Sequence, residues 1–186
     1  PPAECFSPVC SVPELESLVM TWSFFETLHS RSYSHIIRNI YNVPTDEFNR
    51  IHDIQEIVHM AASIGKYYDD LYVLNARKTL GLEVSEYEHI KAVWLALIAS
   101  YGLEAIRFLV SFATSFGMVE NKIFIGNGNE ISLIAQDELL HTEWTAYILN
   151  TLVRTDERFA QVAHDCKEES YGILMDVIAE EKQWPK

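Results

Sequence analysis

The sequence predicts an all-α fold, a helical bundle. Three observations carry this. Apolar residues recur at steps of three, four and seven along nearly the whole chain, and no strand-like alternation lasts more than a few residues. Helix start and stop signals punctuate the chain at helix-length intervals. Glu and His recur three residues apart inside apolar stretches, the spacing that places both on one helical face.

The elements follow in order. A first long helix opens near Ser11, where Ser11-Val12-Pro13-Glu14 has the capping-box spacing with Pro in the first turn. It runs to about Asn42, and Val43-Pro44 ends it. A short helix or turn covers Thr45 to Arg50. A second long helix runs from about Asp53 to Leu80 and stops at Gly81. Ser85-Glu86-Tyr87-Glu88 is another capping box, opening a helix to about Phe116, with Gly117 after it. Gly126-Asn127-Gly128-Asn129 reads as a break. Helices follow at about Glu130 to Val153 and Asp156 to Gln183. The 186 residues, 48% hydrophobic and 22% charged, suffice for one domain over 1–186 with a sizeable core.

A formal net charge of -13, with 27 acidic residues against 14 basic, argues against nucleic acid, which demands clustered Lys and Arg. The three cysteines, Cys5, Cys10 and Cys166, form no CxxC and have no zinc-like spacing, which suits a reducing compartment and idle thiols. Ala92 to Val119 is the one membrane suspect. Glu104 and Arg107 interrupt it, and a helix apolar all round serves equally as the centre of a bundle, so no membrane is expected.

Four Glu-x-x-His pairs occur: Glu26/His29, Glu56/His59, Glu86/His89 and Glu138/His141. With 19 Glu and 7 His, roughly one is expected by chance, so the motif needs context. The first helix carries the stripe Leu15, Leu18, Trp22, Phe25, His29, Ile36, Ile40, with Glu26 on or beside it. Tyr33, seven residues past Glu26, points within about 20° of the same direction. The stripe Ile131, Ile134, Glu138, His141, Thr145, Ile148, Leu152 holds both members of the last pair. Glu104 lies on a similar line, Trp94, Leu97, Tyr101, Glu104, Phe108, Ser111. Glu56/His59 lie toward Ser63, Lys66 and Asp70, and Glu86/His89 sit in a charged first turn, so both are expected at the surface.

A buried carboxylate without a partner costs several kcal/mol or gives up its charge. Three carboxylates and two histidines on inward faces therefore call for a shared cation. The competing reading is a hydrogen-bonded cluster without metal. Few cations favour it: Arg31 and Arg38 on the first helix, and Arg107, three residues from Glu104. Glu and Glu-x-x-His on facing helices form the di-iron or di-manganese carboxylate pattern, and oxygen-rich ligation with two imidazoles suits iron or manganese better than structural zinc.

Three segments carry a resemblance. The stretch Phe24-Phe25-Glu26-Thr27-Leu28-His29-Ser30-Arg31-Ser32-Tyr33-Ser34-His35-Ile36-Ile37-Arg38-Asn39, then Leu103-Glu104-Ala105-Ile106-Arg107-Phe108 followed by Val110-Ser111-Phe112, and Asp137-Glu138-Leu139-Leu140-His141 resemble the small subunit of class I ribonucleotide reductase in its tyrosyl-radical form. The match covers essentially the whole chain in order and spacing. It implies a ferritin-like bundle holding two iron ions, with manganese as the alternative. Glu26 and His29 would bind one side, with Glu26 bridging. Glu104, Glu138 and His141 would bind the other metal, with Glu138 also able to bridge. Tyr33 would carry the radical, in an apolar pocket of Phe108, Phe112 and Ile134. Asp137 would link a ligand histidine to the radical-transfer route. His35, off the stripe, is read as structural.

The resemblance also implies a large-subunit partner, a homodimer, a cytoplasmic setting, and a role in reducing ribonucleotides to deoxyribonucleotides. The family's sixth ligand, an Asp about thirty residues before the first Glu, would lie before Pro1. A tryptophan on the radical route and a C-terminal tail carrying a tyrosine also have no counterpart in these residues. The chain therefore reads as an internal piece of a longer subunit, incomplete at both ends, with weak or heterogeneous metal binding and no reductase activity alone. Another di-metal oxidase, hydroxylase or desaturase, or a ferritin-like iron-binding protein, are the alternatives that spacing alone leaves open.

Overall fold

A computed structural model describes residues 2–183. The chain runs α1 Pro2–Phe6, a 3-10 turn Ser7–Val9, α2 Pro13–Ile40, α3 Pro44–Arg50, a second 3-10 turn Ile51–Asp53, α4 Gln55–Thr79 and α5 Glu86–Gly102. A π-turn Leu103–Arg107 then leads into α6 Phe108–Glu120, α7 Ile125–Thr155, α8 Glu157–Asp165 and α9 Lys167–Glu181. No strand occurs among the described residues.

α5 is the axis of the bundle, with α4, α7, α8 and α9 packed around it. Ala96, Ala99 and Ser100 are fully buried there, and small side chains let the neighbours approach. Cross-helix contacts give the directions. Asn75 meets His89 at 2.7 Å and Tyr68 meets Ser100 at 2.6 Å, so α4 and α5 run antiparallel. α2 and α7 are antiparallel likewise, since His29 meets Asp137 while Glu26 meets His141. Lys91–Glu169, Trp94–Ser170 and Arg107–Glu180 rise together, so α5 and α9 are parallel.

Glu86–Glu120 is long and apolar enough to cross a membrane by length and composition. From His89 to Gly102 its α5 half is buried inside the bundle except at Lys91 and Tyr101, which are partly buried, and this accounts for the apolarity.

Several boundaries differ from the sequence expectation. α7 begins at Ile125 and runs straight through Gly126-Asn127-Gly128-Asn129. A Cβ on Gly128 would collide with Val119 Cγ2, so that glycine serves close approach of α6 to α7 and does not break the helix. The reversal lies upstream, at Lys122 (φ 62°) and Phe124 (φ 54°), both left-handed. α6 continues past Gly117 to Glu120. The expected last helix is two, parted at Cys166, with Asp156 capping α8 by accepting from Arg158 N at 2.9 Å. Ser11 makes no cap; α2 starts at Pro13 behind Val12. Ser85 does cap α5, accepting from Glu88 N at 3.4 Å. α1 was not expected; it is held by Asn75 Nδ2 donating to Cys5 O at 2.8 Å. All three cysteines are free, and burial pushes their thiols up, away from reactivity.

Candidate metal centre

Three elements, distant in sequence, deliver the candidate residues to one place. α2 supplies Glu26 and His29, one turn apart. The π-turn supplies Glu104, 2% exposed. α7 supplies Glu138 and His141, 3% and 0% exposed. Glu26, Glu104, Glu138 and His141 each offer a ligand atom within 4.8 Å of the others. His141 Nδ1 is the hub, 2.8 Å from Glu138 Oε2, 3.3 Å from Glu26 Oε1 and 3.7 Å from Glu104 Oε2.

His29 adjoins this group. Its Nδ1 lies 3.0 Å from Glu138 Oε1 and 4.0 Å from Glu26 Oε2, and its Nε2 lies 3.0 Å from Asp137 Oδ2. A carboxylate on the far ring nitrogen fixes the tautomer and turns the other nitrogen's lone pair inward, the arrangement common behind metal-binding histidines.

The donor set fits a cation. Beyond the imidazole–carboxylate approaches just given, His29 Nδ1 and Glu104 Oε2 are buried without a well-formed hydrogen bond. Buried polar atoms without partners are rare in folded proteins and call for an explanation. Arg107 does not supply one, because its guanidinium pairs with Glu180 and Glu181 on α9.

Electrostatics show how crowded the carboxylates are. Burial first, then the charges of Glu138 and Glu26, push Glu104 up to about 9 against the pull of His141. Burial would also raise Glu138, but His141, His29 and Glu104 outweigh it and hold it down at about 2. Burial would lower His141, and the carboxylates of Glu104, Glu138 and Glu26 raise it to about 11. Protons and a metal thus compete for the same lone pairs.

Aromatic side chains wall the site. The rings of Trp22, Phe25 and Trp144 lie 5.4, 5.8 and 5.6 Å from His141. Trp22 also donates its indole N–H to Glu26 Oε1 at 3.2 Å. Sequence reasoning placed Trp22 on the stripe but missed this bond; its signal is the spacing of four to Glu26. A cavity of about 790 Å³ opens beside Glu26 and Glu104, bordered by Tyr68, Arg31 and Asp69.

Tyr33 stands one turn beyond His29 and is 36% exposed as a residue. Burial, then the charges of Glu138 and Glu26, push its phenol up to about 12. Phe108, Phe112 and Ile134 do come together, with Ile131, Ala135 and Ile36 of α2, as a separate apolar cluster. Tyr33 lies one turn before Ile36, and its ring is more open than a sealed pocket implies.

Of the pairs expected at the surface, Glu56/His59 are exposed. Glu86 is too, but His89 is buried, a correction. Its ring turns from the charged first turn toward α4 and bonds Asn75 Oδ1 at 2.7 Å. His35 is exposed and pairs with Asn39 on its own helix.

Comparison with known proteins adds the remaining observation. Residues 3–186 match the family described as ribonucleotide reductase, small chain. The ribonucleoside-diphosphate reductase subunit beta of Buchnera aphidicola subsp. Baizongia pistaciae is 42% identical over 195 residues, covering 96% of this chain and 51% of that protein. That of Haemophilus influenzae is 41% identical, covering 95% and 50%. That of Enterobacteria phage T4 is 36% identical, covering 98% and 53%. The chain spans about half the length of these curated relatives.

Proposed function

This chain belongs to the ribonucleotide reductase small-chain family, and from that premise we propose that it forms the di-metal core of a ribonucleoside-diphosphate reductase small subunit. Its task is to generate a tyrosyl radical for a large subunit that reduces ribonucleotides. The observation that carries the reading is the convergence of Glu26, Glu104, Glu138 and His141 within 4.8 Å, from three separate elements, in a buried site.

Glu26, His29, Glu104, Glu138 and His141 would hold two metal ions. Glu26 and Glu138 approach both histidines, which suits them to bridge. The oxygen-rich set with two imidazoles suits iron, with manganese as the alternative. When bound, the metal pair supplies the one-electron oxidising power drawn from O₂. The protein's own part is ligation, orientation and exclusion of water. Asp137 orients His29. Trp22, Phe25 and Trp144 keep water from His141. Tyr33 stays a neutral phenol at ordinary pH, so its oxidation releases a proton together with the electron. Glu138 and Glu26 are the bases whose charge it feels.

The large-subunit partner and a homodimer follow from the same reading, as does a cytoplasmic setting. Exposed apolar side chains such as Phe24, Leu109, Leu133 and Leu139, each more than half exposed, supply surface for such contacts. Iron titration of the chain tests the metal reading. Weak or heterogeneous uptake of no more than about two ions per chain is expected, whereas uptake of many irons with shell assembly would mark a storage protein. For the radical, residues 3–186 replace the matched segment of the T4 relative, and the chimera is loaded with Fe(II) and exposed to O₂. A tyrosyl EPR signal is expected, and its survival in Tyr33→Phe would refute the assignment.

A further inference from the structure

The rod that carries Glu104 holds one residue more than a regular α-helix would. From Leu103 to Arg107 the ladder widens, and Phe108 N–H bonds Leu103 O, five residues back instead of four. In a regular helix, residues three apart share a face, and Arg107 would point about 60° from Glu104. Its guanidinium would then neutralise that carboxylate. In an i→i+5 turn of about 4.4 residues, three residues sweep about 245°, and the two side chains diverge by about 115°.

The side chains follow that geometry. Glu104 joins Glu26, Glu138 and His141. Arg107, 3% exposed, turns to α9, with Nη2 2.6 Å from Glu180 Oε2 and Nη1 3.4 Å from Glu181 Oε1. Glu180 Oε2 also accepts from Ser63 Oγ of α4 at 3.4 Å. α9 lies hard against the start of the π-turn, since a Cβ on Gly102 would meet Leu174 at 3.3 Å and Val177 at 3.4 Å.

We infer that Arg107 is a positioning residue: Glu180 and Glu181 draw its guanidinium to α9, and this keeps the π-turn wide and leaves Glu104 free for the metal group. A buried guanidinium cannot be left without a carboxylate, because an unpaired buried charge is strongly destabilising. The α9 acids and Glu104 are thus rival partners for one cation, and the extra residue in the rod decides between them. The inference rests on the reading of Glu104 as a metal ligand.

The test is a Mn(II) titration of the 186-residue chain, followed by loss of the free-ion EPR signal, with helical CD recorded on each variant. Glu180→Gln with Glu181→Gln is expected to weaken binding about tenfold or more, the usual scale for losing an orienting partner. Adding Arg107→Met to that pair removes the cation that would capture Glu104, and is expected to return affinity to within about threefold of the parent. A merely structural role for the acids predicts no such rescue. Wild-type affinity in the double variant, or no recovery in the triple, overturns the inference while leaving the metal reading intact. If the parent chain itself binds no Mn(II), the metal reading falls and takes the inference with it. Should the double variant lose its helical signal, Glu180→Gln alone, with and without Arg107→Met, carries the same comparison.

Discussion

Replacing Gly128 by alanine drives a methyl carbon into Val119 Cγ2, and two relaxations are open to it. Val119 can leave the rotamer that about 90% of helical valines adopt, at about 1 kcal/mol. Alternatively, α6 and α7 move apart and loosen their seam, at the usual cost of overpacking, about 1–3 kcal/mol. Alanine also gains about 1 kcal/mol over glycine inside a helix, which blurs the net effect of this one change. Gly117 in α6 removes the ambiguity, because a Cβ there meets nothing within 4 Å. Gly117→Ala therefore carries the propensity gain alone. The two variants are expected to differ by about 1–3 kcal/mol, or about 2–12 °C in Tm for a chain of this size. Thermal melts followed by CD at 222 nm measure it, together with Val119→Ala and the Val119→Ala/Gly128→Ala double variant. Removing the colliding methyl should restore stability, with a coupling of about 1 kcal/mol or more. Equal melting of the two glycine variants, or an absent coupling, would refute the view that Gly128 is there for contact.

Other expectations follow from the site and its surroundings. In the metal-free protein, His141 keeps a proton that the unfolded chain surrenders near pH 6.5, because three carboxylates outweigh its burial and raise it to about 11. Stability from this group is complete below pH 6.5 and is lost as pH rises. Glu104, raised from 4.5 to about 9, has the same sign. Urea midpoints of the metal-free chain should fall between pH 6.5 and 9, and a flat profile would contradict the assigned electrostatics. Metal binding should release protons over the same window, read by calorimetry in two buffers of different ionisation enthalpy. Trp22→Phe removes the donor to Glu26 and part of a side chain 1% exposed, and should cost about 2 kcal/mol in urea melts. His89→Leu leaves Asn75 Oδ1 without its donor and should cost about 1–3 kcal/mol, whereas His59→Leu should stay within about 0.5 kcal/mol.

The candidate ligands were legible because burial and charge conflict in them. A helical stripe that is apolar except for Glu138 and His141 announces a polar centre, and the structure brings Glu26 and Glu104 to that pair. The boundaries were less legible, for reasons that lie between helices. Gly126-Asn127-Gly128-Asn129 looks like a turn by local propensity, but contact with Val119 explains Gly128. His89 looks solvated beside Glu86 and Glu88, but Asn75, on another helix, draws it inward. The wide turn at Leu103–Arg107 carries no local signature, since Leu-Glu-Ala-Ile-Arg is ordinary helical sequence. It is sustained by tertiary partners of Arg107 that lie more than seventy residues downstream.

That wide turn has a consequence for insertions and deletions. Removing one residue, Ala105 or Ile106, would heal the hydrogen-bond ladder and give a more regular helix. It would also rotate everything after it by about 100° and shift it by about 1.5 Å. α6 would then present a different face to α7, and Phe112 would leave its place beside Ile131 and Ile134. The improved local geometry would be the disabled one. Length polymorphism in this chain should therefore be tolerated at the exposed turns, such as residues 121–124 or the segment after Gly81, and be strictly excluded from the five residues of an otherwise unremarked stretch of helix.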